Sequence, residues 1–343
     1  MAEKVLELNN LEVCFDTPQG TVEAVRGVDL TVREGEILCL VGESGCGKTV
    51  LCHSVMHLLP RNGRIRSGNI LLEGRDITDC GEREMRKIRG ATMSMVFQDP
   101  LTTLNPTIPI GKQITETIFK HENCSREDAR KRAIDMLKLV GIPDAEQRYK
   151  LQPHFFSGGM RQRCVLAAAL ASRPKLLFAD EATTALDVTM ETRILDLLRK
   201  LRDETGIAIV FVTHDLGAVA RIADRVAVMY AGKIVEIGTA EEVFYDPRHP
   251  YTWGLLGSLP QLADKETGLK SIPGMPPALL NPPKGDAFAE RNPYALRIDY
   301  EEMPPMMRIT ESHYAATWLL NPLAPKVTPP VTIIPPKGGN RHG

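Results

Sequence analysis

"VGESGCGKTV" occupies residues 41–50, beginning where the apolar run "ILCLV" (37–41) ends and leading into a helical pattern. Gly42, Gly47, Lys48 and Thr49 in it fit the spacing G-x-x-x-x-G-K-[ST]. The chemistry behind that spacing is phosphate binding: the glycines let backbone amides turn inward on phosphate oxygens, and the following helix adds its positive end. Lys48 can then reach the β- and γ-phosphates while the Thr49 hydroxyl ligates Mg²⁺. A Gly-rich turn can match by chance, but this one stands between a strand and a helix, as a phosphate loop must. The residues expected to line the nucleotide are therefore Gly42, Glu43, Ser44, Gly45, Cys46, Gly47, Lys48, Thr49 and Val50.

A second stretch agrees with the first. "KLLFADEA" (175–182) reads as an apolar strand ending in two carboxylates. Asp180 is placed to hold Mg²⁺, directly or through water, and Glu181 to polarise an attacking water as a general base. Alone, the pair could be a strand end meeting solvent. Downstream of a phosphate loop it reads as the hydrolytic half of the same site.

Bulk properties narrow the class. At 343 residues there is room for one large or two ordinary domains, and 42 basic against 43 acidic residues give no global attraction to nucleic acid. Cysteines 14, 39, 46, 52, 80, 124 and 164 show no paired metal spacing and are odd in number, which fits reduced thiols in a cytoplasmic protein. The start "MAEKVLELNN" lacks the pattern of a signal peptide, and no window holds 18 consecutive apolar residues, so a soluble intracellular protein is expected.

Besides residues 37–41, "MSMVF" (93–97), "LLFA" (176–179) and "AIVFV" (208–212) read as buried strands. Ile194, Leu197, Leu198 and Leu201 recur at helical spacing, and the alternation predicts an α/β fold with a largely parallel sheet. "VLELNNLEVCF" and "VRGVDLTV" predict a small antiparallel region at the start. From about Gly111 to Phe155 the pattern is all-helical, with Ser125 and Asp128 matching a capping box and Gly141 a helix stop. Seventeen of the 25 prolines follow residue 246, so the last hundred residues differ in kind. The expected organisation is a nucleotide-binding domain over 1–245 with a helical subdomain at about 100–165, an extension over 246–325, and a disordered tail over 326–343.

"FSGGMRQR" (156–163) resembles the signature motif of ABC-type ATPases, and other elements match that family in order. Gln98 in "VFQDP" resembles the Q-loop glutamine, "ALD" (185–187) the D-loop with Asp187, His214 in "FVTHD" the switch histidine, and Phe15, or else another nearby residue, the aromatic that stacks on adenine. The resemblance implies an ABC-type P-loop ATPase core with an inserted helical subdomain. It assigns catalytic roles to Lys48, Gln98, Glu181 and His214, and Mg²⁺ contact to Thr49, Gln98 and Asp180. It also implies that Ser157, Gly158 and Gly159 bind the γ-phosphate held by an opposite subunit, so that two chains sandwich two ATP molecules. Taken alone, Ser157 with its glycines would be an ordinary helix cap and His214 a strand-end histidine. Two positions depart from the family pattern: Met160 stands where glutamine is usual and Ala182 where proline is common.

"YDPRHPYTWGLLGSLP" (245–260) and "IPGMPPALLNPPKG" (272–285) resemble the Pro-rich C-terminal extension of peptide/nickel importer ATPases, most nearly the oligopeptide-permease D-type subunits. Tyr251, Trp253, Leu255 and Leu256 argue that this extension packs. Many relatives carry four cysteines there that hold an iron–sulfur cluster, and Asp286, Asn292, Asp299 and Thr317 stand at those positions here. With no thiolate after Cys164, no iron–sulfur cluster is expected. A hard-metal site on Asp286 and Asp299 is conceivable, with solvated carboxylates the favoured reading.

The implied assembly is an ATP- and Mg²⁺-dependent importer of oligopeptides at the cytoplasmic face of a bacterial membrane. Its other parts are a second, related ATPase subunit, two integral membrane permeases and an extracellular peptide-binding protein. The permeases are expected to dock near residues 99–118. Dipeptide or nickel import is the alternative. A non-transport ABC ATPase acting on nucleic acid or the ribosome is disfavoured by the balanced charge, and exporter, translation and chromosome types by the single core without fused membrane helices or a long coiled coil.

Overall fold

The computed structural model describes residues 3–97, 103–182, 188–259, 272–331 and 333. Two sheets organise them. The larger has eight strands, and the five at one end of it run parallel in the order Arg225–Tyr230, Ile37–Val41, Ala208–Thr213, Leu176–Asp180, Met93–Val96. Every residue of Ile37–Val41 is buried, as a parallel strand covered on both faces requires. Alternate side chains feed different cores. Ile37, Cys39 and Val41 join one cluster with the helices, while Leu38 and Leu40 join a second with the N-terminal strands.

That N-terminal region is a full four-stranded antiparallel sheet rather than a small one. Two 14-residue strands, Lys4–Thr17 and Gly20–Arg33, pair with each other, and the first also pairs with Gly63–Leu72. Of the expected strands, "MSMVF" stops one residue early, at Val96.

The helical insertion is present as Ile110–His121, Arg126–Leu139, Ala145–Arg148 and Gly158–Leu170. Ser125 caps the second helix by accepting the Asp128 N–H at 3.1 Å. The reciprocal half of the expected capping box is replaced by a hydrogen bond from the Ser125 hydroxyl to the Asp128 carboxylate at 2.6 Å. Gly141, at φ +75°, turns the chain out of that helix.

The extension packs. Tyr251, Trp253 and Leu256 are buried, and a short hairpin, Met307–Arg308 with Tyr314–Ala315, continues the large sheet beyond strand Lys233–Thr239. A fully buried Glu236 fastens this edge. Its carboxylate meets His313 Nε2 at 2.8 Å and accepts the backbone N–H groups of Arg248 at 2.7 Å and His249 at 2.9 Å. Within the expected tail, Val331 and Ile333 are partly buried against the helix-side core. Residues 334–343 lie outside the described residues.

Candidate active site

The phosphate loop leaves the C-terminal end of the central strand, with neighbouring strands on either side in register: Val41 lies opposite Thr213 and Val228, and Val212 opposite Asp180. The crevice beyond the carboxyl ends of such strands is where parallel α/β sheets place ligands. Two glycines in the loop are obligatory. A Cβ on Gly42 would lie 2.1 Å from the Met229 carbonyl oxygen, and one on Gly47, at φ +107°, would lie 2.4 Å from that of Ala24. Helix Lys48–Val55 follows directly, presenting its free amides to the loop. Ser44, Gly45 and Thr49 are exposed, whereas Cys46 and Lys48 are buried. Lys48 Nζ donates to the carbonyls of Gly42 at 2.7 Å and Glu43 at 3.0 Å.

Asp180, nearly inaccessible at the end of its strand, accepts the Thr49 hydroxyl at 3.2 Å. Burial pushes its carboxyl up, against the lowering effect of the Thr49 hydrogen bond. Two hard oxygen donors at this spacing, one an anion that is costly to bury unpartnered, suit Mg²⁺. Glu181 turns out of the strand at φ +47°, in the left-handed region that non-glycine residues seldom occupy. Its carboxylate thereby comes 3.4 Å from His214 Nδ1, and its N–H donates to the Val212 carbonyl at 2.9 Å. Loop, paired carboxylates and His214, separated by up to 172 positions, meet beyond the carboxyl ends of adjacent strands.

Other expected residues stand apart. Ser157 caps helix Gly158–Leu170, accepting the Met160 N–H at 3.4 Å, and it and Gly158 are exposed. Among the described residues no hydrogen bond joins them to the loop. Met160 takes a distant contact from Arg148, with its sulfur 3.9 Å from the guanidinium. Phe15 is half-buried on the first strand, its ring filling the space above Gly63. Gln98 and Asp187 lie outside the described residues, as do residues 99–102 of the expected docking segment. Glu43, expected to line the nucleotide, has its N–H held by the Tyr251 hydroxyl at 2.7 Å and its carboxylate by Arg291. Sequence reading also missed Gln162, a buried amide that donates to the Ala182 carbonyl at 2.7 Å and ties the signature helix to the strand end. A cavity of about 520 Å³ lined by Lys4, Glu34, Pro174, Lys175 and Ile207 sits at the opposite ends of the strands and holds none of these residues.

Comparison with known proteins decides the family. Residues 25–184 match the ABC transporter family, and residues 235–298 match the oligopeptide/dipeptide transporter C-terminal region. The chain is 55% identical over 332 residues, 96% of its length and 93% of the relative's, to the oligopeptide transport ATP-binding protein OppD of Bacillus subtilis. It is 54% identical to the dipeptide transport ATP-binding protein DppD of Lactococcus lactis, over 97% of this chain and 95% of that one. The chain belongs to the ATP-binding subunits of ABC transporters. As such it is an ATPase subunit that works with membrane permeases, and no helix among its described residues is long and apolar enough to cross a membrane itself. In three dimensions the ABC subunit is similar to a dimeric ATP-binding cassette, MJ0796, solved in a post-hydrolysis state with ADP and Pi. That match has a TM-score of 0.62 at 28% identity and covers 68% of this chain and 98% of the other.

Asp286, Asn292, Asp299 and Thr317 are all buried, so the reading of Asp286 and Asp299 as solvated carboxylates is corrected. Each side chain accepts a nearby backbone N–H: Asp286 that of Phe288 at 3.0 Å, Asn292 that of Tyr294 at 2.9 Å, Asp299 that of Leu296 at 2.6 Å and Thr317 that of Leu319 at 3.3 Å. Four oxygens spent on turn caps do not fit an iron–sulfur cluster, which needs thiolates.

Burial, aided by the nearby Asp299 charge, raises the Asp286 carboxyl from 3.8 to about 6. The native state therefore binds more protons than the unfolded state between pH 4 and 6, and stability falls as pH rises through that window. At neutral pH the ionised group costs up to about 3 kcal/mol. Asp286→Asn keeps the acceptor for Phe288 and removes the charge. It is expected to melt higher than the parent at pH 7.5 and at the same temperature at pH 4, by calorimetry.

Proposed function

We propose that this subunit hydrolyses ATP to drive peptide uptake, its site residues acting as follows. The loop amides from Gly45 to Val50 and the Lys48 ammonium receive the β- and γ-phosphates. Thr49 and Asp180 would hold Mg²⁺, which would neutralise charge on the phosphate oxygens. Glu181 takes the proton from a water whose oxygen attacks the γ-phosphorus as the bond to ADP breaks, and His214 steadies the γ-phosphate beside it. Phe15 stacks on adenine. Ser157 and Gly158, exposed at a helix start, and the half-buried Gly159 complete the site of a second ATPase subunit, and Gln98 and Asp187 serve the Mg²⁺ and dimer contacts.

The observation that carries this reading is the meeting of Lys48, Thr49, Asp180, Glu181 and His214 beyond the ends of adjacent parallel strands. The extension supports peptides as cargo, since the relatives that share it are named for oligopeptide and dipeptide transport. Oligopeptides are the first reading and dipeptides the second. The assembly comprises a different but related ATPase, two permeases and an extracellular peptide-binding protein, with this chain peripheral on the cytoplasmic face of a bacterial membrane. Gentle solubilisation of native membranes and purification through a tag on this chain should recover those four partners, and the binding protein's ligand should be a peptide. Recovery of ribosomes or nucleic acid without permeases would overturn the transport reading.

A further inference from the structure

The phosphate loop is also gripped from outside. The Glu43 carboxylate receives both arms of the Arg291 guanidinium, at 2.7 and 2.9 Å, across 248 residues of sequence. Arg291 is itself held in place. Its side chain is 6% exposed, its Nε donates to the Pro273 carbonyl at 2.7 Å, and one arm also donates to the Tyr230 hydroxyl at 3.1 Å. The guanidinium lies 5.7 Å from the Tyr230 ring centre and 5.9 Å from that of Phe288. Beside it stands Tyr251, fully buried against both rings, whose hydroxyl accepts the Glu43 N–H at 2.7 Å. The remaining Glu43 backbone group, its carbonyl, takes a hydrogen bond from Lys48 at 3.0 Å.

We propose that Arg291 and Tyr251 of the extension are positioning residues for ATP: by fixing Glu43 they hold the phosphate loop in its binding conformation and aim Lys48. The proposal rests on the loop being the ATP site. A loop with glycines at 42, 45 and 47 has wide backbone freedom, and whatever freedom remains must be surrendered when phosphates bind. A bidentate arginine–carboxylate pair removes much of it beforehand, because two parallel bonds fix orientation as well as distance. The grip engages the loop's second residue and touches none of the amides from 45 onward, of which that of Cys46 donates to the Glu43 carbonyl at 3.3 Å. The extension thus contributes to nucleotide affinity without touching nucleotide.

The test is a binding series on the full-length chain, titrated with a non-hydrolysable ATP analogue and Mg²⁺, with melting temperatures measured in parallel. Arg291→Gln and Glu43→Gln should each weaken binding about tenfold, roughly 1.4 kcal/mol, and the double variant no further. Arg291→Lys, which keeps the charge and loses the fork, should fall between them and the parent. Tyr251→Phe deletes one hydroxyl from a packed ring and should weaken binding severalfold with little change in melting. It carries the test if Arg291→Gln does not fold. Affinities within twofold of the parent in both Arg291→Lys and Tyr251→Phe would overturn the proposal, as would penalties that multiply in the double variant. Lys48→Ala separates the two levels: a parent chain that binds no better than Lys48→Ala overturns the ATP-site reading itself, and the grip with it.

Discussion

Glu181→Gln is expected to lower steady-state ATP hydrolysis by about 10²–10⁴-fold while leaving ATP binding intact. The substitution keeps the side chain's size and its place 3.4 Å from His214, and it removes only the capacity to take a proton from water. The backbone requirement is met as well, since glutamine meets φ +47° with no more strain than glutamate. ATP that binds and is not cleaved should hold two subunits closed on each other, so a stable ATP-dependent dimer should appear in size-exclusion chromatography. A coupled ATPase assay and equilibrium binding check both parts. Turnover above a tenth of the parent's would remove Glu181 from the role of general base.

Lys48→Ala should fail one step earlier. The ammonium is buried against the carbonyls of Gly42 and Glu43, so its position is set by the loop and not by solvent. In the proposed mechanism it is the cation that meets the β- and γ-phosphates, and electrostatic terms in a partly water-excluded site are worth far more than in bulk water. Loss of such a donor costs about 10²–10³-fold in turnover, and here ATP affinity should drop as well. The contrast with Glu181→Gln is the informative result: one variant binds without cleaving, the other scarcely binds. If Lys48→Ala retains the parent's affinity, the loop is not the phosphate site.

Both substitutions fall on residues whose proposed roles are legible in the amino-acid sequence, and the reason is local. A phosphate loop is a strand end, a glycine turn and a helix start within ten residues, and the Asp180–Glu181 pair is the end of a single apolar run. Period-2 and period-3.6 patterns report such elements because each depends on neighbours in the chain. Where the sequence misleads, the missing information is environmental. Asp286 and Asp299 look solvated because carboxylates usually are; they are buried because each caps a turn within three residues of itself inside a packed extension. Val331 and Ile333 in the proline-rich tail are partly buried against the core, a contact that no local pattern reports.

Local pattern along the chain was therefore enough to specify the α/β core, the helical insertion, the phosphate loop and the order of the residues that serve it. How the extension relates to them emerged from packing in three dimensions alone. Arg291 and Glu43 carry no sign of each other, being 248 residues apart with nothing periodic between them. What joins them is the packing of Tyr230, Tyr251 and Phe288 behind the phosphate loop, which leaves one guanidinium with a single direction in which to point.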